Sequence, residues 1–337
     1  MSLELLNTLE VILNGLMTGV MYSLVALGFV LIFKASGVFN YAQGVMCLFA
    51  ALTLVGFQTG QIPFAHLINV IFGTEYHHWS SDITGGMNSF LAIVLTVIVM
   101  IGFAYIVERF LLRHLVNQAP IILFMATIGL AFFMEGFGDL MWGANIKPLD
   151  LGIPSGGSFW WEEVTRTWAT ADSKYIGMYI DVLDVWAAVI AVLLVIVLTL
   201  FSQFTKTGRA LRAVADDHQA ALTVGISLRT IWVIVWSIAG IVALVAGIMW
   251  GSKSGVQFSL SLIALKALPV LILGGFTSIP GAIVGGLIIG VGEKLFEFWI
   301  GPMVGGATEN WFAYVLALFF LMFRPQGLYG EKIIERV

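Results

Sequence analysis

Charge is the first thing this sequence lacks. Only 11% of its 337 residues are Asp, Glu, Lys or Arg, where a soluble domain carries roughly a quarter, so water is not its main solvent. Cysteine is almost absent: Cys47 stands alone, which excludes a disulfide framework and a cysteine-based metal site. The net charge is -4 and there is no basic tail, so nucleic acid is not an expected partner. No Lys or Arg precedes Lys34, so the basic start of a cleavable signal is not expected. The nucleotide-binding pattern G-x-x-x-x-G-K-[ST] is missing; an ATP-driven activity would need its ATPase in another chain. Catalytic sets are incomplete too. Gly251-Ser252-Lys253-Ser254-Gly255 puts lysine where a G-x-S-x-G nucleophile needs serine. Gly136-Phe137-Gly138-Asp139 matches the G-x-G-D of intramembrane aspartyl proteases. That chemistry needs two carboxylates sharing a proton, and no second aspartate lies deep in an apolar run. No enzymatic activity and no metal site are expected of the chain itself.

Apolar sequence is what the chain has instead. Hydrophobic residues make up 59% of it, and its mean hydropathy is +0.97. Runs at about 11–33, 39–57, 89–112, 120–142, 182–204, 230–252, 262–276, 279–300 and 309–323 approach the ~20 residues a helix needs to cross a bilayer. They are continuous rather than alternating, which argues against a β-barrel. The expected fold is an all-α membrane protein, a single transmembrane domain over 1–337 built as a polytopic bundle of eight or nine helices. The run 262–276 is short, holds Lys266 and Pro269, and ends in Gly274-Gly275. It reads as a crossing or as a broken or re-entrant helix, which is tolerated only where protein covers it or water fills a cavity.

Charge asymmetry sets orientation. The loop 58–88 has no Lys or Arg, and 143–181 has three against five acids. Arg109, Arg113, the run 206–229 and the tail with Arg324, Lys332 and Arg336 are basic. Placing the basic regions in the cytoplasm gives an outside N-terminus, an inside C-terminus and an odd number of crossings; a re-entrant 262–276 would break that parity. The loop 143–181 is then extracytoplasmic, like 58–88. These loops carry an amphipathic piece from Ile62 to Phe72, His77-His78-Trp79, and Trp160, Trp161 and Trp168. They read as an aromatic belt at the interface or as a docking surface for a soluble partner.

Few ionisable groups lie inside the apolar runs, and such groups normally face the bundle interior or water. Glu135 and Asp139 share one helix face at i, i+4. Two readings stay open for Glu135 and Lys266: a polar translocation path, or inter-helix pairing such as Lys266 with Glu135. Glu293, Lys294 and Glu297 fit structural pairing or snorkelling near a helix end. In Asn40-Tyr41-Ala42-Gln43-Gly44, Asn40 suits helix capping, and Gln43 suits capping or the path equally. Gly15 and Gly19, and the row Gly281, Gly285, Gly286, Gly290 and Gly292, permit close backbone approach between helices.

The densest charge lies between apolar runs, in 205–230. Lys206, Arg209, Arg212 and Arg229 accompany Asp216, Asp217 and His218. A helix through Arg209–Leu222 would put Leu211, Val214 and Ala215 near one face and pair Arg212 with Asp216 at i, i+4.

Four stretches, in order and across nearly the whole chain, resemble the LivH-type permeases of branched-chain (hydrophobic) amino acid ABC importers. They are Asn40-Tyr41-Ala42-Gln43-Gly44; Gly208-Arg209-Ala210-Leu211-Arg212-Ala213 through Gly225-Ile226; Lys266-Ala267-Leu268 to Gly274-Gly275-Phe276-Thr277-Ser278-Ile279-Pro280-Gly281-Ala282; and Phe323-Arg324-Pro325-Gln326-Gly327-Leu328. The resemblance implies a multi-spanning permease of a bacterial inner-membrane importer. Its partners would be a second, LivM-like permease, two cytoplasmic ATPases carrying ATP and Mg, and a periplasmic binding protein. It also implies that 205–230 is a cytoplasmic coupling loop docking on the ATPase, with Arg209, Arg212, Asp216, Asp217 and His218 as coupling residues. Gln43, Glu135 and Lys266 are the candidates for the path. The long segments 58–88 and 143–181 depart from commoner members and leave the substrate open, since relatives also carry urea, short amides or aromatic acids. The rival reading is a self-sufficient secondary transporter or channel, which would need a convergent ion-coupling cluster.

Overall fold

The computed structural model describes residues 2–73, 86–115, 118–157, 159–168, 177–216 and 218–330. His77, His78, Trp79, Asp217, Lys332 and Arg336 lie outside these residues, as do the side chains of Trp160, Asp216 and His218. Along the described chain run α1 (Leu3–Ser36), α2 (Gln43–Thr59), α3 (Ala65–Phe72), α4 (Ser89–Phe110), α5 (Pro120–Trp142), α6 (Phe159–Arg166) and α7 (Val182–Phe204). Then come α8 (Lys206–Asp216), α9 (His218–Thr223), α10 (Leu228–Ser254), α11 (Ile263–Gly274), α12 (Ile279–Trp299), α13 (Gly301–Val304) and α14 (Phe312–Phe323). Extended pairing among the described residues is limited to two isolated antiparallel bridges, Lys147 with Val256 and Gly157 with Asp181.

Local chemistry sets the helix ends. Asn88, Ser227 and Ser278 accept hydrogen bonds from backbone N–H groups of Phe90, Thr230 and Gly281, occupying donors that a helix start leaves open. Pro120 opens α5, where its missing N–H costs nothing. Asn40 caps a turn rather than the helix itself: its Oδ1 accepts from Ala42 N–H at 3.1 Å, one turn ahead of α2.

Among the described residues, six helices are long and apolar enough to cross a membrane: α1, α4, α5, α7, α10 and α12. Three shorter apolar segments join them: Gln43–Thr59, Phe258–Gly274 and Phe312–Phe323. The short run of the sequence is thus longer than it reads. A 3₁₀ turn, Phe258–Leu262, precedes α11 and makes the segment a broken helix. Inside α11, Pro269 has no N–H to give the Leu265 carbonyl. The Tyr314 hydroxyl donates to that carbonyl instead, at 2.7 Å.

The chain divides into two compact units. The first holds residues 1–26, 152–196 and 265–337, and the second holds 27–151 and 197–264. In the second, α10 packs against α4 and α2, and α2 packs against α5. Gln43 meets Ala239 and Gly247 meets Cys47, so α2 and α10 run in parallel. Tyr41 meets Thr127 and Gly56 meets Trp142, so α2 and α5 do as well.

In the first unit, Gly15 lies against Gly290, Gly19 against Gly286, and Ser23 against Ala282, so α1 runs antiparallel to α12. That is the sense α12 takes if Phe258–Gly274 and each apolar helix before it cross once.

A candidate coupling loop and a buried charge cluster

The basic loop is helical over Lys206–Asp216 (α8) and over His218–Thr223 (α9); Asp217, between them, lies outside the described residues. Thr205 starts α8. Its hydroxyl accepts from Gly208 N–H at 2.9 Å and donates to the Phe201 carbonyl at 2.7 Å. A side chain at position 208 would run into the Phe201 carbonyl and the Ser202 Cα, so glycine lets α8 fold back tightly on the end of α7. Leu211 and Val214 are buried and Ala215 is half-buried. α8 packs against α10, and the 3.6-residue period gathers these apolar residues on one face. Lys206 and Arg209 are exposed and Arg212 is half-buried. Gly225 closes α9 with φ +83°, and Ile226 N–H reaches back to the Ala221 carbonyl at 3.0 Å. Leu222 and Val224 are left exposed.

The second feature lies in the first unit. The antiparallel run of α11 and α12 brings Lys266 to Glu293, at 2.7 Å. Glu293 is 0% exposed. The Lys266 ammonium also donates to the Glu309 carbonyl at 2.9 Å and lies over the Tyr22 ring. The Tyr22 hydroxyl adds a bond to Glu293 at 3.3 Å, while Oε2 of Glu293 has no hydrogen-bond partner. The next residue, Lys294, pairs with Glu309 at 2.7 Å. Glu297 accepts from Thr308 N–H at 2.7 Å and from the Thr308 hydroxyl.

The pairing of Lys266 with Glu135 is therefore overturned. Glu293 lies on the neighbouring antiparallel helix and takes the ammonium. Glu135 is half-buried on α5 and Asp139 is exposed. Gln43 is fully buried: its amide nitrogen reaches the Ala239 carbonyl at 3.5 Å, and its side chain fills the space beside Gly28. Gln43 and Glu135 share the second unit, and no hydrogen bond joins them among the described residues.

Sequence reasoning missed Tyr22, Thr308 and Glu309 because no spacing links them to α12. It also missed the role of the segment after α14. There, Leu328 N–H donates to the Leu273 carbonyl at 2.8 Å and Tyr329 N–H to the Gly274 carbonyl at 3.1 Å. They occupy carbonyls that the end of α11 leaves open. A further polar group stands outside the spans. Lys147 donates to Gln61 Oε1 at 2.6 Å, and burial without a carboxylate among the described residues pulls its pKa below the usual lysine value.

Comparison with known proteins adds a family. The one described as "Branched-chain amino acid transport system / permease component" matches residues 11–324. The high-affinity branched-chain amino acid transport system permease protein LivH of Salmonella typhimurium is 25% identical, with 100% of both chains covered. LivH of Escherichia coli K12 is likewise 25% identical over 100% of both chains. BraD of Pseudomonas aeruginosa, a permease protein of the same description, is 27% identical over 99% of both.

Proposed function

The chain belongs to the family of permease components of branched-chain amino acid transport systems, a multi-pass membrane protein, and on that footing we propose that it is the non-catalytic translocating subunit of an ATP-driven importer in a bacterial inner membrane. Its substrates are branched-chain or other hydrophobic amino acids, or a related small solute. Two cytoplasmic ATPases bind ATP and Mg and hydrolyse the nucleotide. A second permease of LivM type completes the membrane part, and a periplasmic binding protein delivers the substrate.

One observation carries this reading: the α8–α9 loop buries Leu211 and Val214 and leaves Arg209, Leu222 and Val224 exposed. Exposed apolar and cationic side chains carried by one loop suit a protein partner. Arg209, Arg212, Asp216, Asp217 and His218 are the coupling residues in this proposal, and Gln43, Glu135 and Lys266 line or border the route. Movement of the ATPases would be passed through α8 into α10, against which it packs.

The test uses the complete complex in proteoliposomes. Arg212→Glu with Asp216→Arg is expected to lower substrate-stimulated ATP hydrolysis at least several-fold while the unstimulated rate of the ATPases stays. Unchanged stimulated hydrolysis removes the loop from the mechanism. Uptake by the purified chain alone, without partners or ATP, overturns the importer reading in favour of a secondary transporter.

A further inference from the structure

We propose that α11, α12, α14, the stretch of α1 from Gly15 to Ser23 and the segment 324–330 form one rigid block that keeps its internal geometry through the transport cycle, with the segment 324–330 acting as the clasp that holds it. The inference rests on the importer reading for the existence of a cycle. The block itself is argued from contacts inside the first unit alone.

Glycine rows are commonly read as tracks along which helices slide. Here the packing is interlocked. A Cβ built on Gly15 would sit 2.7 Å from Val291 Cα, and one on Gly19 would sit 2.9 Å from Leu287 Cα. Positions 286 and 290 are equally closed by α1. Backbone rests on backbone, so an axial shift would push Cα ridges into one another rather than along a smooth face. Ser23 pins the register with hydrogen bonds to the Gly19 and Ala282 carbonyls at 2.9 and 3.1 Å. Between α11 and α12 the same closure occurs where Gly274 faces Gly281 and Val270 faces Gly285.

Both ends of this core are then locked by different chemistry. At one end lie the Lys266–Glu293 and Lys294–Glu309 pairs and the Glu297–Thr308 bonds, which tie α11 and α12 to the residues entering α14. At the other end the chain leaving α14 turns back. Leu328 and Tyr329 donate their N–H groups to the last carbonyls of α11. Gly275 (φ +102°) and Gly327 (φ +78°) sit backbone to backbone, with a Cβ on either meeting the other strand at 2.8 Å. Only glycine tolerates both the left-handed φ and that approach. The Tyr314 bond to the Leu265 carbonyl, freed by Pro269, adds to the first of these ends.

The experiment measures spin-label distances in the complete reconstituted complex. Cysteines replace Ile288 on α12 and Leu318 on α14, both exposed on the block's outer faces. Buried Cys47 stays unlabelled. Between the nucleotide-free and ATP-trapped states the 288–318 distance is expected to change by less than about 2 Å, the scale of ordinary helix adjustment. A larger shift overturns the block. ATP-dependent uptake by the same unmodified complex is recorded alongside. Its absence refutes the importer reading, whereas uptake together with a shifted distance refutes the block alone. The clasp is tested by Leu328→Pro, which deletes the N–H to Leu273, against Leu328→Ala, which keeps it. Expected are a broadened 288–318 distribution and several-fold less substrate moved per ATP hydrolysed for the proline variant, with near-normal values for alanine. Normal behaviour of Leu328→Pro, or equal loss in both variants, removes the clasp. If Leu328→Pro does not assemble, the two-state distance decides on its own.

Discussion

Replacing Lys266 with Met should be the most damaging single change in the charge cluster, and the structure fixes why. Glu293 is 0% exposed, and among the described residues its donors are the Lys266 ammonium at 2.7 Å and the Tyr22 hydroxyl at 3.3 Å. Oε2 already lacks a partner. Without the ammonium, a buried carboxylate is held by one long hydrogen bond, and the Glu309 carbonyl loses its donor as well. Deleting one member of a buried pair costs about 3–5 kcal/mol. Glu293→Gln is milder, about 1–2 kcal/mol, because the Lys266 side chain is 25% exposed and keeps the Glu309 carbonyl, so the cation is not stranded. The double variant Lys266→Met, Glu293→Leu removes both charges and should recover most of the loss, since apolar replacement of a whole buried pair is close to neutral. Thermal unfolding of the purified complex, followed by tryptophan fluorescence, ranks the variants: double variant and Glu293→Gln above Lys266→Met. A double variant as unstable as Lys266→Met refutes the reasoning, because the damage would then lie in packing and not in a stranded charge.

Two further outcomes follow from single positions. Gly19→Val should abolish or sharply reduce folded protein, since its side chain would enter the backbone of α12 at Gly286 and Leu287; Gly102→Ala, with nothing within 4 Å, should be neutral or slightly stabilising. Size-exclusion profiles after detergent extraction distinguish them. Lys147 gives a pH signature. Its folded-state pKa lies below the ordinary value of 10.5 through burial, so the folded chain binds its proton less tightly than the unfolded chain. Stability should therefore rise as pH climbs from the depressed pKa toward 10.5 and level off above it. The melting temperature of wild type minus that of Lys147→Met, followed from neutral pH upward, should increase over that window; a flat difference refutes it.

How legible the chain was depends on the range of the interaction. The apolar runs mark the long membrane helices because a helix in lipid must satisfy its own backbone groups, and this needs only local composition. The face of α8 was readable for the same reason, through Leu211 and Val214. Pairing was not. Lys266 had several candidate acids, and what selected Glu293 was the antiparallel fit of α11 on α12, 27 residues apart in sequence. Nor did any spacing announce that Leu328 and Tyr329 cap a helix ending at Gly274.

The sequence by itself determined the solvent and the class of this protein, because burial in lipid acts on composition and is indifferent to distant contacts. Only the tertiary structure decided that the short run extends from Phe258 to Gly274 as a broken helix, that Glu293 takes the buried ammonium, and that the glycine rows bring helix backbones into contact. Each of those depends on which backbones come close enough to touch, and short-range packing and hydrogen bonding discriminate at a scale of an ångström that composition does not encode.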